Sequence, residues 1–290
     1  MSPLLKTLSI ALIQLHTTAN KSSNLLKVKQ YVQKALTEKP SLDLVMLPEC
    51  FNSPYSVTEF RNYAENVPNG ETTKFLSELA KEHKVFIIGG SIPELGLDNK
   101  VYNTSLSFDK TGKLIAKHRK VHLFDIDIPN GITFKESITL SGGEKATVFD
   151  LDGYGNVGLG ICYDIRFPEL AAIAARKNSF AMFYPGAFNT TTGPLHWHLL
   201  ARARAIDNQT YVVLCSPARD LSSGYHAYGH SLIVDPNGKI IVEAGENEEI
   251  VYGELDPSYI DQIRSGIPIT TQRRFDVYDD VSVNAKVSDI

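Results

Sequence analysis

Apolar residues gather in short dense runs along the chain, with polar stretches between them. Runs of strand character occupy residues 9–14, 44–47, 85–92, 104–108, 157–162, 181–184, 211–216 and 230–234. Helix-period patterns fill 24–37, 71–83, 168–177, 196–207 and 257–264. Asp109-Lys110-Thr111-Gly112 and Asp235-Pro236-Asn237-Gly238 are turn signals, each followed by a further short strand. Helices alternating with strands and hairpins predict an α/β sandwich with mixed sheets and helices on their outer faces. No linker or low-complexity block interrupts the alternation, so residues 1–290 are taken as one domain with a less regular C-terminal arm from about residue 266.

Three of these patterns end in chemistry. The run Val157-Gly158-Leu159-Gly160-Ile161-Cys162 stops at a cysteine and re-enters a helix near Pro168. A side chain at such a strand-to-helix turn is presented at the sheet edge beside backbone N–H groups. The apolar Leu44-Val45-Met46-Leu47 runs into Pro48-Glu49, and a doubly buried strand does not end in a carboxylate unless the charge is paired or used. The hairpin strand Ala116-Lys117-His118-Arg119-Lys120 carries a basic cluster into apolar residues. Glu49, Lys120 and Cys162 together would supply an acid/base, a cation and a nucleophile. The cation is expected to favour the thiolate, and burial to raise the carboxylate toward neutrality.

Composition narrows the setting. The formal net charge of −4 gives no electrostatic reason for a nucleic-acid partner. Three widely spaced cysteines argue against a disulfide framework and for a reducing compartment. The N-terminal residues lack signal- or transit-peptide character, and no apolar run is long enough to cross a membrane. A cytoplasmic location is expected, without excluding a minor mitochondrial pool. Asn-x-Ser/Thr matches at Asn103, Asn189 and Asn208 carry little weight in that setting. His196 and His198 do not share a helix face, and His226 and His230 have no Cys or carboxylate at ligand spacing, so no metal is expected.

Leu47-Pro48-Glu49-Cys50-Phe51, His118-Arg119-Lys120-Val121-His122-Leu123-Phe124 and Gly160-Ile161-Cys162-Tyr163-Asp164-Ile165-Arg166-Phe167-Pro168-Glu169 closely resemble the Glu–Lys–Cys motifs of the nitrilase superfamily. Phe51-Asn52-Ser53-Pro54-Tyr55, Phe124-Asp125-Ile126-Asp127-Ile128-Pro129, Ile132-Thr133-Phe134-Lys135-Glu136-Ser137 and the stretch Tyr184 to Pro194 are similar to its ω-amidase branch, which hydrolyses the terminal amide of α-ketoglutaramate and α-ketosuccinamate. The resemblance implies a four-layer α-β-β-α sandwich with two mixed sheets, no cofactor, a small amide substrate and a homodimer. It also implies Cys162 as nucleophile, Glu49 as general base, Lys120 as oxyanion stabiliser and Glu136 as a second glutamate that positions substrate and lysine.

Substrate contacts are expected from Tyr55, the Tyr163 amide, Arg166, Phe188, Thr191 and Thr192. An internal Arg166–Glu169 ion pair is the competing use of that arginine. Cys50 and Cys215 are expected in the core. The nearest rival activity is hydrolysis of deaminated glutathione, and the non-enzymatic rival is a binding protein retaining the fold.

Overall fold

The structure is a computed structural model that describes residues 2–129 and 133–288. Ile132, which opens one of the stretches named above, lies outside the described residues, as do Met1, Asp289 and Ile290.

The chain first lays down β1 (Leu8–Gln14), β2 (Leu44–Met46), β3 (Phe86–Ile88), β4 (Ile92–Leu95), β5 (Val101–Phe108) and β6 (Leu114–Arg119). A small hairpin, β7 (Asp125–Asp127) with β8 (Thr133–Lys135), follows. The second sheet holds β9 (Ala146–Leu151), β10 (Gly155–Leu159), β11 (Ala181–Pro185), β12 (Tyr211–Cys215), β13 (Leu232–Val234) and β14 (Ile240–Glu243). β15 (Glu249–Leu255) returns to pair antiparallel with β1, and β16 (Val287–Ser288) pairs with β9. Each sheet has a parallel centre, β1-β2-β3 or β10-β11-β12, with antiparallel strands at its flanks.

The near-continuous apolar runs are explained by burial on both strand faces. Leu8, Ile10, Leu12 and Met46 meet Leu159, Phe183, Val213 and Ile233 between the sheets. The alternate residues Ala11, Ile13, Val45 and Ile87 face outward against α1 (Lys21–Glu38) and α3 (Glu71–His83), with α2 (Phe60–Tyr63) between them in the chain. Met182, Tyr184, Val212 and Leu214 face α4 (Pro168–Arg176) and α5 (Gly193–Asn208). Four layers result, in the order α-β-β-α.

Differences from the sequence pattern have local causes. Helix α1 begins at Lys21 because the Asn20 side chain accepts from the Ser23 amide. Helix α5 starts at Gly193, with Pro194 in its first turn, where a missing N–H costs nothing. The expected 85–92 strand is two strands, broken at Gly89-Gly90-Ser91. After α6 (Pro257–Gly266), the arm packs on the body of the fold: Arg176 pairs with Asp280 and lies 4.8 Å over the Phe275 ring.

Candidate active site

The break between β3 and β4 builds the seat of Glu49. Gly90 has φ +56°, and a Cβ there would stand 2.0 Å from the Pro48 carbonyl, so only glycine permits the approach. Ser91 donates its amide to that carbonyl (3.2 Å), and its hydroxyl accepts from the Cys50 amide (3.0 Å). Pro48-Glu49-Cys50 is thereby clamped at the carboxyl end of β2. Lys120 follows β6 directly, its amide bonded to the Asn103 carbonyl (2.8 Å). Cys162 stands three residues beyond the end of β10 with φ +46°, at the start of a short 3₁₀ turn over Cys162–Arg166. Tyr163, the next residue, has its amide in the first turn, where N–H groups lack intrahelical acceptors.

These ends converge. The Lys120 Nζ is fully buried, 3.0 Å from Glu49 Oε1 and 2.9 Å from Glu136 Oε1. Asn103 donates to the same Glu49 oxygen (2.8 Å), Tyr55 Oη donates to Glu136 Oε1 (2.6 Å), and the Phe124 amide donates to Glu136 Oε2 (2.7 Å). Glu49 Oε2 is buried with no nitrogen or oxygen partner among the described residues, and the Cys162 thiol beside the carboxylate lowers its pKa. The Ala187 amide points at Cys162 Sγ from 3.4 Å.

Electrostatics assigns resting protonation states. Burial opposes the charge of Lys120, but Glu136 and Glu49 outweigh it and hold the ammonium well above its ordinary value. Burial raises Glu49, Lys120 pulls it down and Glu136 pushes it up again, leaving it above the usual carboxylate range. Burial and then Glu49 push the Cys162 thiol well up, against the pull of Lys120. The cation does favour the thiolate, as expected, but burial and the Glu49 charge outweigh it. Cys162 rests as a thiol beside a carboxylate able to take its proton.

A cavity of about 650 Å³ opens onto this cluster, lined by Glu49, Cys50, Tyr55, Phe134, Ala187 and Tyr225 among others. Tyr225 packs 4.4 Å from Tyr55 and donates to the Ala187 carbonyl. The sequence profile of the carbon–nitrogen hydrolase family matches residues 9–265. Saccharomyces cerevisiae omega-amidase NIT3 is 58% identical over 96% of this chain and 97% of its own length. Mouse omega-amidase NIT2 is 52% identical, over 94% of this chain and 98% of that protein. The crystal structure of Saccharomyces cerevisiae Nit3, of branch 10 of the nitrilase superfamily, superposes with a TM-score of 0.88 over 95% of this chain and 99% of that one, at 54% identity. This chain is a carbon–nitrogen hydrolase of the nitrilase superfamily.

In this hydrolase one buried carboxylate ties the lysine segment to the cysteine turn. Asp164 Oδ2 lies 3.0 Å from His118 Nε2 and accepts from the Ile161 amide (2.9 Å). Its Oδ1 lies 2.8 Å from His122 Nδ1 and accepts the His122 amide (2.9 Å). Burial alone would raise Asp164, but the bonds from His118 and His122 win and hold it well below the usual range. Its contribution to stability is thus complete above the ordinary aspartate value of about 4, and declines as pH falls toward the folded value. Asp164→Asn is expected to cost about 1–3 kcal/mol at neutral pH, since the amide cannot accept from all four donors. Urea unfolding at two pH values checks this: the gap to wild type should narrow in acid.

The remaining candidates divide. Tyr55 stands on the cavity wall and orients Glu136. Phe188 is buried against Trp197, ring centres 5.0 Å apart, and lies 4.8 Å from the Arg166 guanidinium. Tyr163 packs on Phe124 and Phe167. Arg166 makes no ion pair with Glu169 or with any other carboxylate among the described residues. Its Nη1 contacts His196 Nδ1 (3.2 Å), its Nε is buried without a partner, and burial lowers its pKa. Of the expected substrate contacts only Tyr55 lines the cavity; Tyr163, Arg166, Phe188, Thr191 and Thr192 do not, and the two threonine amides donate instead to Asn189 Oδ1, at the start of helix α5, with Thr191 exposed. Cys50 is buried beside Phe60, Val101 and Leu140, and Cys215 lies between the sheets. Sequence reasoning missed Asn103, seen only as a glycosylation match, and Tyr225, which sits in a Ser/Gly-rich loop without a motif.

Proposed function

We propose that this carbon–nitrogen hydrolase is an ω-amidase that cleaves the terminal amide of short 2-oxo dicarboxylic acid ω-amides, α-ketoglutaramate and α-ketosuccinamate, through a cysteine thioester. The observation that carries the substrate class is Arg166. A half-buried guanidinium with an unpartnered Nε and no carboxylate partner among the described residues, within electrostatic range of Cys162, is costly unless a ligand supplies the anion. The carboxylate at the far end of such a substrate is that anion, and the names of the NIT2 and NIT3 relatives support the same reading.

In the proposed reaction Glu49 takes the thiol proton as Cys162 sulfur bonds to the amide carbon. Lys120 and the Tyr163 amide receive the developing oxyanion. Glu49 returns the proton to nitrogen, the C–N bond breaks, and ammonia leaves a thioester. Water, deprotonated by Glu49, then attacks the thioester carbon; the acid forms and the sulfur regains its proton. Asn103 and Glu136 act by keeping Glu49 and Lys120 in place.

Arg166→Met is expected to lower kcat/KM for α-ketoglutaramate by roughly 10- to 150-fold, the equivalent of about 1.5–3 kcal/mol for a hydrogen bond to a charged group. Hydrolysis of an uncharged five-carbon amide should change little. Equal losses on both amides would sink the anion-binding role. We also propose a homodimer: Leu195, Leu199 and Ile206 leave one side of α5 apolar and exposed, and Val277, Val281 and Val283 of the arm do likewise. A solution mass of one chain would contradict it.

A further inference from the structure

Sequence spacing hid a ligand set that the fold assembles away from the catalytic cavity. His198 on α5, His230 ahead of β13 and Glu243 at the end of β14 turn their donor atoms toward one another. His198 Nε2 and His230 Nδ1 each lie 2.8 Å from Glu243 Oε1, and the three atoms fall within 4.8 Å of one another. His230 is held from several sides. The His230 amide donates to the Gly245 carbonyl (2.9 Å), its carbonyl accepts from Trp197 Nε1 (2.7 Å), and its ring stacks on Tyr228 at 4.3 Å. His230 also holds a left-handed φ of +58°.

Hydrogen bonding alone would need only one imidazole on that carboxylate. Here two converge on a single oxygen from separate elements, and all three side chains stay 25–32% exposed, so water can complete a coordination shell. Metal bonds of about 2.1 Å in a tetrahedral arrangement need donors about 3.4 Å apart. Side-chain adjustments of well under an ångström open the 2.8 Å contacts that far.

We infer that His198, His230 and Glu243 form a binding site for one divalent transition-metal ion of the zinc class. Two imidazoles and a carboxylate suit zinc, nickel or copper rather than magnesium or calcium. The ion would join α5 to β14 at the outer surface of the second sheet, and it takes no part in amide hydrolysis.

The chain has one tryptophan, Trp197, whose indole is bonded to the His230 carbonyl, so it reports on this site. The test is nickel titration of Trp197 emission, with zinc calorimetry, in full-length Cys162→Ala protein. That background removes the thiol that would itself take a soft metal. One ion per chain with quenched emission is expected. Glu243→Gln and His198→Gln should each weaken binding by at least the roughly tenfold that loss of a mere outer-shell partner costs. Both variants must keep the parent melting temperature in chelator; a variant that does not is replaced by the other or by His230→Asn, which tolerates the left-handed backbone. Unchanged emission up to millimolar nickel overturns the inference. So does quenching that survives the substitutions.

Discussion

Cys162→Ala is expected to abolish ammonia release from α-ketoglutaramate, a loss on the order of 10⁵-fold or more in kcat. The fold should survive it. The side chain's polar contacts are weak ones, to the Ala187 amide and the Glu49 carboxylate, and the left-handed backbone at position 162 is held by Asp164 and the β10 register rather than by sulfur. Folding stability should therefore stay within about 1 kcal/mol of wild type by urea unfolding. Loss of turnover with retained stability separates the nucleophile from a packing residue. Turnover persisting in the variant would transfer the role to another group. Cys50 lines the same cavity but is packed among Phe60, Val101 and Leu140.

Lys120→Met should be damaging in two ways at once. The ammonium is fully buried between Glu49 and Glu136, so its removal leaves two desolvated carboxylates facing a methyl group. Breaking a buried ion pair by deleting one partner costs about 3–5 kcal/mol, and one carboxylate is then expected to take up a proton. Activity falls further than stability explains. The oxyanion loses its cation, worth about 10²–10³ in kcat by analogy with a single oxyanion donor, and a protonated Glu49 no longer serves as base. Steady-state kinetics on the folded fraction, with the unfolding curve measured alongside, distinguishes the two contributions. A variant that is active and as stable as wild type would remove Lys120 from the account.

Much of this was legible in the chain. The eight apolar runs mark true strands because the sheets are buried on both sides, which leaves little alternation to misread. Glu49, Lys120 and Cys162 announced themselves as polar residues at the ends of apolar segments. What escaped was long-range or conformational. β9 and β15 carry interior polar residues, Asp150 in one and Glu254 in the other, that dilute their apolar signal. The kink at Gly90 matters only because Pro48 approaches it from another strand. Asn103 and Tyr225 acquire roles through neighbours more than 50 and 30 residues away, roughly the same reason that His198, His230 and Glu243 looked unrelated. The downward pull of Lys120 on the Cys162 thiol was legible, but not that burial and Glu49 outweigh it, because a sequence does not show how deeply the thiol is buried or which carboxylate faces it.

The measurement that tests the central claim most directly is ammonia release from α-ketoglutaramate by the unmodified chain and by the same chain alkylated at Cys162. The account predicts rapid release from the first and none from the second. No release from the unmodified protein, or undiminished release after alkylation, would contradict it.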